Sequence, residues 1–151
     1  MKIGKAKIDN VNVLIADGIP QSAYPAPTGG YWNHMIPEDF KGKDVLLLGV
    51  GAGTIARLLL EKYPNVKIIG VDNNQELITI ALDNFKLGEI KMKIEIADGF
   101  LYLKGTNKKF DLIICDMWDG FLFPIKVLMS EFIEDCKKRL NEGGQVYINC
   151  P

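Results

Sequence analysis

At 151 residues, 48% of them hydrophobic and 25% charged, with a net charge of −1, the sequence has the size and balance of one soluble domain with a sizeable core. The near-neutral charge argues against a protein that coats nucleic acid, and no apolar run approaches the ~20 residues of a membrane span. The first residues alternate instead of building a signal-peptide core, three cysteines lack metal-like spacing and one histidine cannot build a multi-histidine site, so reduced thiols in a cytoplasm and no metal are expected.

Residues 5–18 (KAKIDNVNVLIADG) predict a β-hairpin or two short strands turning at Asp9-Asn10. Residues 19–37 hold four prolines and two glycines, which predicts a long loop lying against the domain, and loops of that length are often functional. From Asp44 onward strands and helices alternate. DVLLLGV (44–50) is apolar throughout, as in a strand buried on both faces. In 54–63, Ile55, Leu58, Leu59 and Tyr63 recur at helical spacing. A second strand is expected at 66–72. A helix at 75–85 presents Leu77, Ile78, Ala81, Leu82 and Phe85 on one face, and a third strand follows at 91–97. A short helix at 99–104 and a fourth strand at 110–116 come next. Between Pro124 and Leu140 the residues Ile125, Leu128, Met129, Phe132, Ile133, Cys136 and Leu140 fit a helical stripe, although Ser130 could cap a shorter helix. NEGG (141–144) ends that helix, and QVYINC (145–150) is a fifth strand. The expected fold class is α/β: a Rossmann-like, mostly parallel sheet with helices on both faces and a short N-terminal β segment. One compact domain is expected, with an N-terminal β segment and substrate-side loop at 1–43 and a ligand-binding core at 44–151.

Gly49, Gly51 and Gly53 fall between a strand and a helix, the context of a nucleotide-binding turn; a tight corner is the plainer alternative. Asp72 ends the second strand, 23 positions past Gly49, where a carboxylate accepts hydrogen bonds from ribose hydroxyls or simply meets solvent. Asp98, in ADG after the third strand, either faces an adenine amino group or caps the next helix. Asp116 ends the fourth strand. Together these residues occupy the carboxyl ends of successive parallel strands, the rim where open α/β sheets bind ligands. No Gly-Lys-Ser/Thr follows the glycines, which excludes a Walker loop.

These motifs resemble the S-adenosylmethionine-dependent, class I methyltransferase fold, and within it the polyamine aminopropyltransferases (spermidine synthase and relatives). Leu47 matches that branch's apolar residue where most methyltransferases carry an acid. VDNN (71–74) is similar to the ribose-binding segment, IADGFLYL (96–103) to the adenine-side segment, and FDLIICDMWDG (110–120) to the fourth strand. The resemblance implies S-adenosylmethionine or its decarboxylated form as cofactor, held by Gly49, Gly51, Gly53, Asp72, Asn73, Asp98, Gly99 and, from LIADGIPQS, Gln21. It implies Asp116 as the acid that accepts an amine proton and Asp119 as a second acid nearby. Tyr31 and Trp118 would line the acceptor pocket, although Trp118 could equally pack against the loop at 19–37. His34 is expected to be a hydrogen-bonding loop residue.

Three departures accompany the resemblance. Ala52 stands where aminopropyltransferases carry an Asp that holds the amino end of the decarboxylated cofactor. Asn33 and His34 stand where an acid follows the tyrosine. The match ends at Pro151, short of a further helix and two strands, so the expectation is either a minimal form or a second copy or partner chain over the sheet edge. The expected activity is methyl transfer to a small amine or similar nucleophile. Aminopropyl transfer is the alternative, and a non-catalytic nucleoside-binding or interaction module is a further one.

Overall fold

The computed structural model describes residues 2–118 and 122–150. Three N-terminal strands, β1 (Ile3–Ile8), β2 (Val11–Ala16) and β3 (Ile19–Tyr24), form an antiparallel sheet in that order. Asp9 and Asn10 both adopt positive φ (46° and 67°), the left-handed pair that a two-residue hairpin turn requires. The segment from residue 19 is therefore not a loop at its start. Pro20 obscured the strand, but β3 is an edge of its sheet, where a missing N–H is tolerated. Leu14 pairs with Ser22 and Ile15 with Pro20, which leaves Gln21 as an extra, bulged residue. A single helical turn, α1 (Tyr31–His34), completes the region.

The second sheet is parallel, with order β6-β5-β4-β7-β8. Its strands are β4 (Asp44–Leu48), β5 (Lys67–Asp72), β6 (Met92–Ile96), β7 (Phe110–Cys115) and β8 (Leu140–Ile148). Connecting helices are α2 (Thr54–Lys62), α3 (Gln75–Asn84), α4 (Gly99–Gly105) and α5 (Ser130–Arg139). In β4, Val45, Leu46, Leu47 and Leu48 are each at most 1% exposed, because both faces are covered. Alternate residues feed two cores. Val45 and Leu47 pack with Ile55 and Leu59 of α2 and with Leu77 and Ala81 of α3. Leu46 and Leu48 pack with Leu103 of α4 and with Phe132 and Cys136 of α5.

Three details differ from the sequence pattern. Leu82 is 47% exposed, so the buried face of α3 is narrower than its apolar spacing. The 124–140 stripe is not one helix: Ile125–Leu128 is a 3-10 turn, and Ser130 is the first residue of α5, not a capping side chain. NEGG does not end the helix. Residues 141–144 belong to β8, where the partner of Phe110 is Leu140 and the partner of Leu112 is Gln145, so they form a bulge in the strand. Among the described residues no helix is long and apolar enough to cross a membrane, and no group of three or more His, Cys, Asp or Glu side chains could hold a metal ion.

Candidate functional site

The carboxyl ends of β4, β5, β6 and β7 open onto one cavity of about 540 Å³, within the size range of small-molecule sites. Gly49, Gly51, Asp72, Asn73, Asp98, Gly99, Asp116, Trp118 and Gln21 all line it. The structure thus brings together residues spread from position 21 to 118. Gly53 does not line it. At φ +83° Gly53 caps α2, and an added Cβ would lie 2.4 Å from Ile90 Cδ1, so its smallness serves packing. Asp119 lies outside the described residues.

The glycine turn is shaped first by the protein's own neighbours. At Gly49 (φ +88°) a Cβ would sit 2.3 Å from the Asp116 carbonyl oxygen, so the tips of β4 and β7 approach too closely for any other residue. Asp72 braces the same turn: its Oδ2 accepts from the N–H groups of Val50 (3.0 Å) and Gly51 (3.2 Å), and its Oδ1 accepts from Asn74 N–H (2.9 Å). The carboxylate is half-buried on the cavity wall, so bracing and facing a ligand coexist. Asp98 caps α4, with Oδ1 accepting from Leu101 N–H at 3.0 Å, while the residue also lines the cavity. Gly99 lets α4 start against Met117, whose sulfur would be 2.5 Å from a Cβ there.

A buried polar knot beneath the turn joins the two sheets. Ser22 Oγ accepts from Ala52 N–H at 2.9 Å and lies 2.8 Å from Thr54 Oγ1. Thr54 Oγ1 in turn accepts from Ala23 N–H (2.9 Å) and donates to Ala23 C=O (3.0 Å). Neither Ser22 nor Thr54 was a sequence candidate. The only sequence trace is a hydroxyl beside Gln21 and another opening α2.

Asp116 follows β7 directly and lines the cavity beside Met117 and Trp118. Its Oδ1 accepts from Asn149 Nδ2 at 2.7 Å, and the Tyr31 hydroxyl donates to its Oδ2 at a long 3.4 Å. Burial pushes the Asp116 carboxyl above the usual carboxylate range, against the two donors, which favour the charged form. Burial, and then the Asp116 charge, push the Tyr31 hydroxyl upward, so it is a neutral donor near pH 7. Tyr31 reaches the site through Asp116 and is not itself part of the cavity wall. Trp118 packs on Phe123, with ring centroids 5.4 Å apart, within its own connection. His34 lines a separate cavity with Glu38 and Glu61.

Over residues 32–150 the sequence matches the family described as "Methyltransferase small domain". It is similar to a probable polyamine aminopropyl transferase of Bifidobacterium longum, 31% identical over 104 residues, which span 69% of this chain and 23% of that protein. It is also similar to the polyamine aminopropyltransferase of Chromobacterium violaceum, 34% identical over 109 residues, which span 71% of this chain and 42% of that protein. The chain thus spans less than half the length of these curated relatives. Among solved structures, a probable spermidine synthase from Corynebacterium glutamicum superposes with a TM-score of 0.84 at 23% identity, covering 98% of this chain and 60% of that one. A spermidine synthase in complex with the transition state analogue AdoDATO gives 0.72 at 23% identity, covering 93% and 55%. Human methyltransferase-like protein 13 in complex with SAH gives 0.61 at 23% identity, covering 69% and 52%.

Proposed function

This chain belongs to the methyltransferase small domain family, with a fold related to that of spermidine synthase, and from that premise we propose that it transfers an aminopropyl group from decarboxylated S-adenosylmethionine to a small amine. The observation that carries the reading is the placement of Asp72, Asp98 and Asp116 around one cavity, each at or just past the carboxyl end of a strand of the same parallel sheet.

The bound sulfonium supplies a carbon that an amine nitrogen attacks as the carbon–sulfur bond breaks. In this reading Asp72 and Asn73 receive the ribose, Asp98 the base, and the braced turn at Gly49–Gly51 gives the nucleoside a fixed backbone to lie against. Gln21, delivered to the cavity by the β3 bulge, closes it from the N-terminal sheet. Asp116 takes the proton that the amine must lose; its raised pKa suits a base working near neutral pH. Tyr31 orients its far oxygen, and Trp118 walls the acceptor side. Residues 1–43 form the acceptor-side segment and 44–151 the nucleoside-binding core.

Aminopropyl transfer is favoured over methyl transfer by the N-terminal sheet. The similarity to the spermidine synthase covers 98% of the chain, whereas that to the methyltransferase covers 69%. A methyl donor is the second reading, favoured by Ala52: it is fully buried, does not line the cavity, and provides no carboxylate for the donor's amino end. Titration with S-adenosylmethionine, decarboxylated S-adenosylmethionine and methylthioadenosine, followed by product analysis over a polyamine panel, tests both readings. Aminopropylated product supports the first and methylated product the second. Binding without product leaves a nucleoside-binding module, and failure of all three ligands to bind overturns the cofactor assignment.

A further inference from the structure

Strands β7 and β8 are joined by an Asp–Asn pair at each end. At the foot, Asn141 Nδ2 donates to Asp111 Oδ1 at 2.7 Å, and Asp111 Oδ2 accepts from the N–H groups of Lys43 (2.7 Å) and Asp44 (2.9 Å). At the rim, Asn149 Nδ2 donates to Asp116 Oδ1 at 2.7 Å. The aspartates are five positions apart and the asparagines eight. The β8 bulge absorbs the difference, because pairing advances from Phe110 to Leu112 on one strand and from Leu140 to Gln145 on the other. Above the bulge the ladder is regular. Cys115 pairs with Ile148, and Asn149 N–H donates to Cys115 C=O at 2.9 Å. The backbone of Asn149 is therefore locked one residue from Asp116, and its short side chain has little freedom left to lose when it reaches the carboxylate.

We infer that Asn149 is a positioning residue for Asp116: its amide, brought to the rim by the β7–β8 register, holds one carboxylate oxygen so that the other, on the Tyr31 side, is presented to the acceptor. This rests on the transferase reading, in which Asp116 takes the amine proton. A carboxylate held at one oxygen keeps a single rotation about its terminal bond, and proton transfer depends on that geometry. The amide also favours the charged form, opposing burial. Among the described residues, the other titratable groups against Asp116 are Tyr31 from α1 and Cys115 beside it on β7, whose thiol burial pushes up to about 12; both are neutral near pH 7.

The test uses Asn149→Leu, of similar volume without the donor, and Asn149→Gln, which keeps it. The Asp116 carboxyl is titrated by carbon NMR, rate–pH profiles are recorded with decarboxylated S-adenosylmethionine and putrescine, and circular-dichroism melting confirms the fold. In Asn149→Leu we expect the Asp116 midpoint and the acid limb of the rate to move to higher pH. We also expect kcat to fall about tenfold or more with KM within twofold, and Asn149→Gln to recover part of the loss. An unchanged midpoint overturns the inference, as does a wild-type kcat in Asn149→Leu when the wild type is active. A shifted midpoint in a protein whose wild type forms no product leaves the Asn149–Asp116 contact standing and overturns the transferase reading instead. Should Asn149→Leu fail to fold, Asn149→Ser, whose hydroxyl is too short to reach, gives the same readouts.

Discussion

Ser22→Ala removes the hydroxyl that ties the N-terminal sheet to the glycine turn. Ser22 is 2% exposed and Thr54 1%, and Ala52, whose N–H the hydroxyl accepts from, is fully buried. Water therefore cannot replace the lost acceptor, and an orphaned buried N–H costs about 1–3 kcal/mol. Loss of the 2.8 Å contact with Thr54 adds about 1 kcal/mol. The expected destabilisation is about 2–4 kcal/mol, or a fall in Tm on the order of 10 °C for a chain of this length. Urea denaturation followed by tryptophan fluorescence measures it, and an unchanged m-value would keep the comparison free of altered compactness. Thr54→Val breaks the same knot from the other side, so the double mutant should recover about 1 kcal/mol of coupling. A loss under about 0.5 kcal/mol in Ser22→Ala, or strict additivity with Thr54→Val, would refute the knot as a joint between sheets.

Gly49→Ala should cost about 3 kcal/mol or more, because left-handed strain adds to a 2.3 Å approach to the backbone oxygen of Asp116. Gly51→Ala, whose tightest Cβ contact would be the Ser22 hydroxyl at 3.1 Å, should cost about half as much, and equal losses on denaturation would contradict the close strand tips. Asp72→Ala should weaken methylthioadenosine binding by about tenfold or more in calorimetry, whereas Asp116→Ala leaves binding within about threefold and abolishes turnover; equal effects would remove the division of roles. With Asp116 in the proposed role of base, the rate should fall as pH drops through its raised pKa, above the ordinary carboxylate range. The same raised pKa means that the folded state holds the proton more tightly than the unfolded one. Its stabilising contribution is complete at low pH and is lost as pH rises through the folded pKa, so Asp116→Asn should melt at or above the wild type at pH 7, with the gap closing in acid. Iodoacetamide should label Cys150 in the native protein and spare Cys115 and Cys136, which are buried with thiols pushed up to about 12; labelling of all three, read by mass spectrometry, would contradict the packing of β7 against α5.

Much of the parallel sheet was determined by the sequence alone. Burial on both faces leaves a strand apolar at every position, as in VLLL at 45–48, and a helix over one face repeats its apolar residues every three or four, so both signals lie within a few neighbouring residues. The same local logic carried Asp72, Asp98 and Asp116 to the strand ends. The strand containing Pro20 escaped it, because edge position in a sheet is not a local property. Only the tertiary structure decided what those side chains touch. Asp72 braces backbone N–H groups 21 and 22 positions away, Tyr31 meets Asp116 across 85 positions, and Asn149 arrives through a bulge that sets the β8 register. A hydrogen bond needs two groups within about 3 Å, and for partners this far apart in the chain only sheet register and layer packing set that distance.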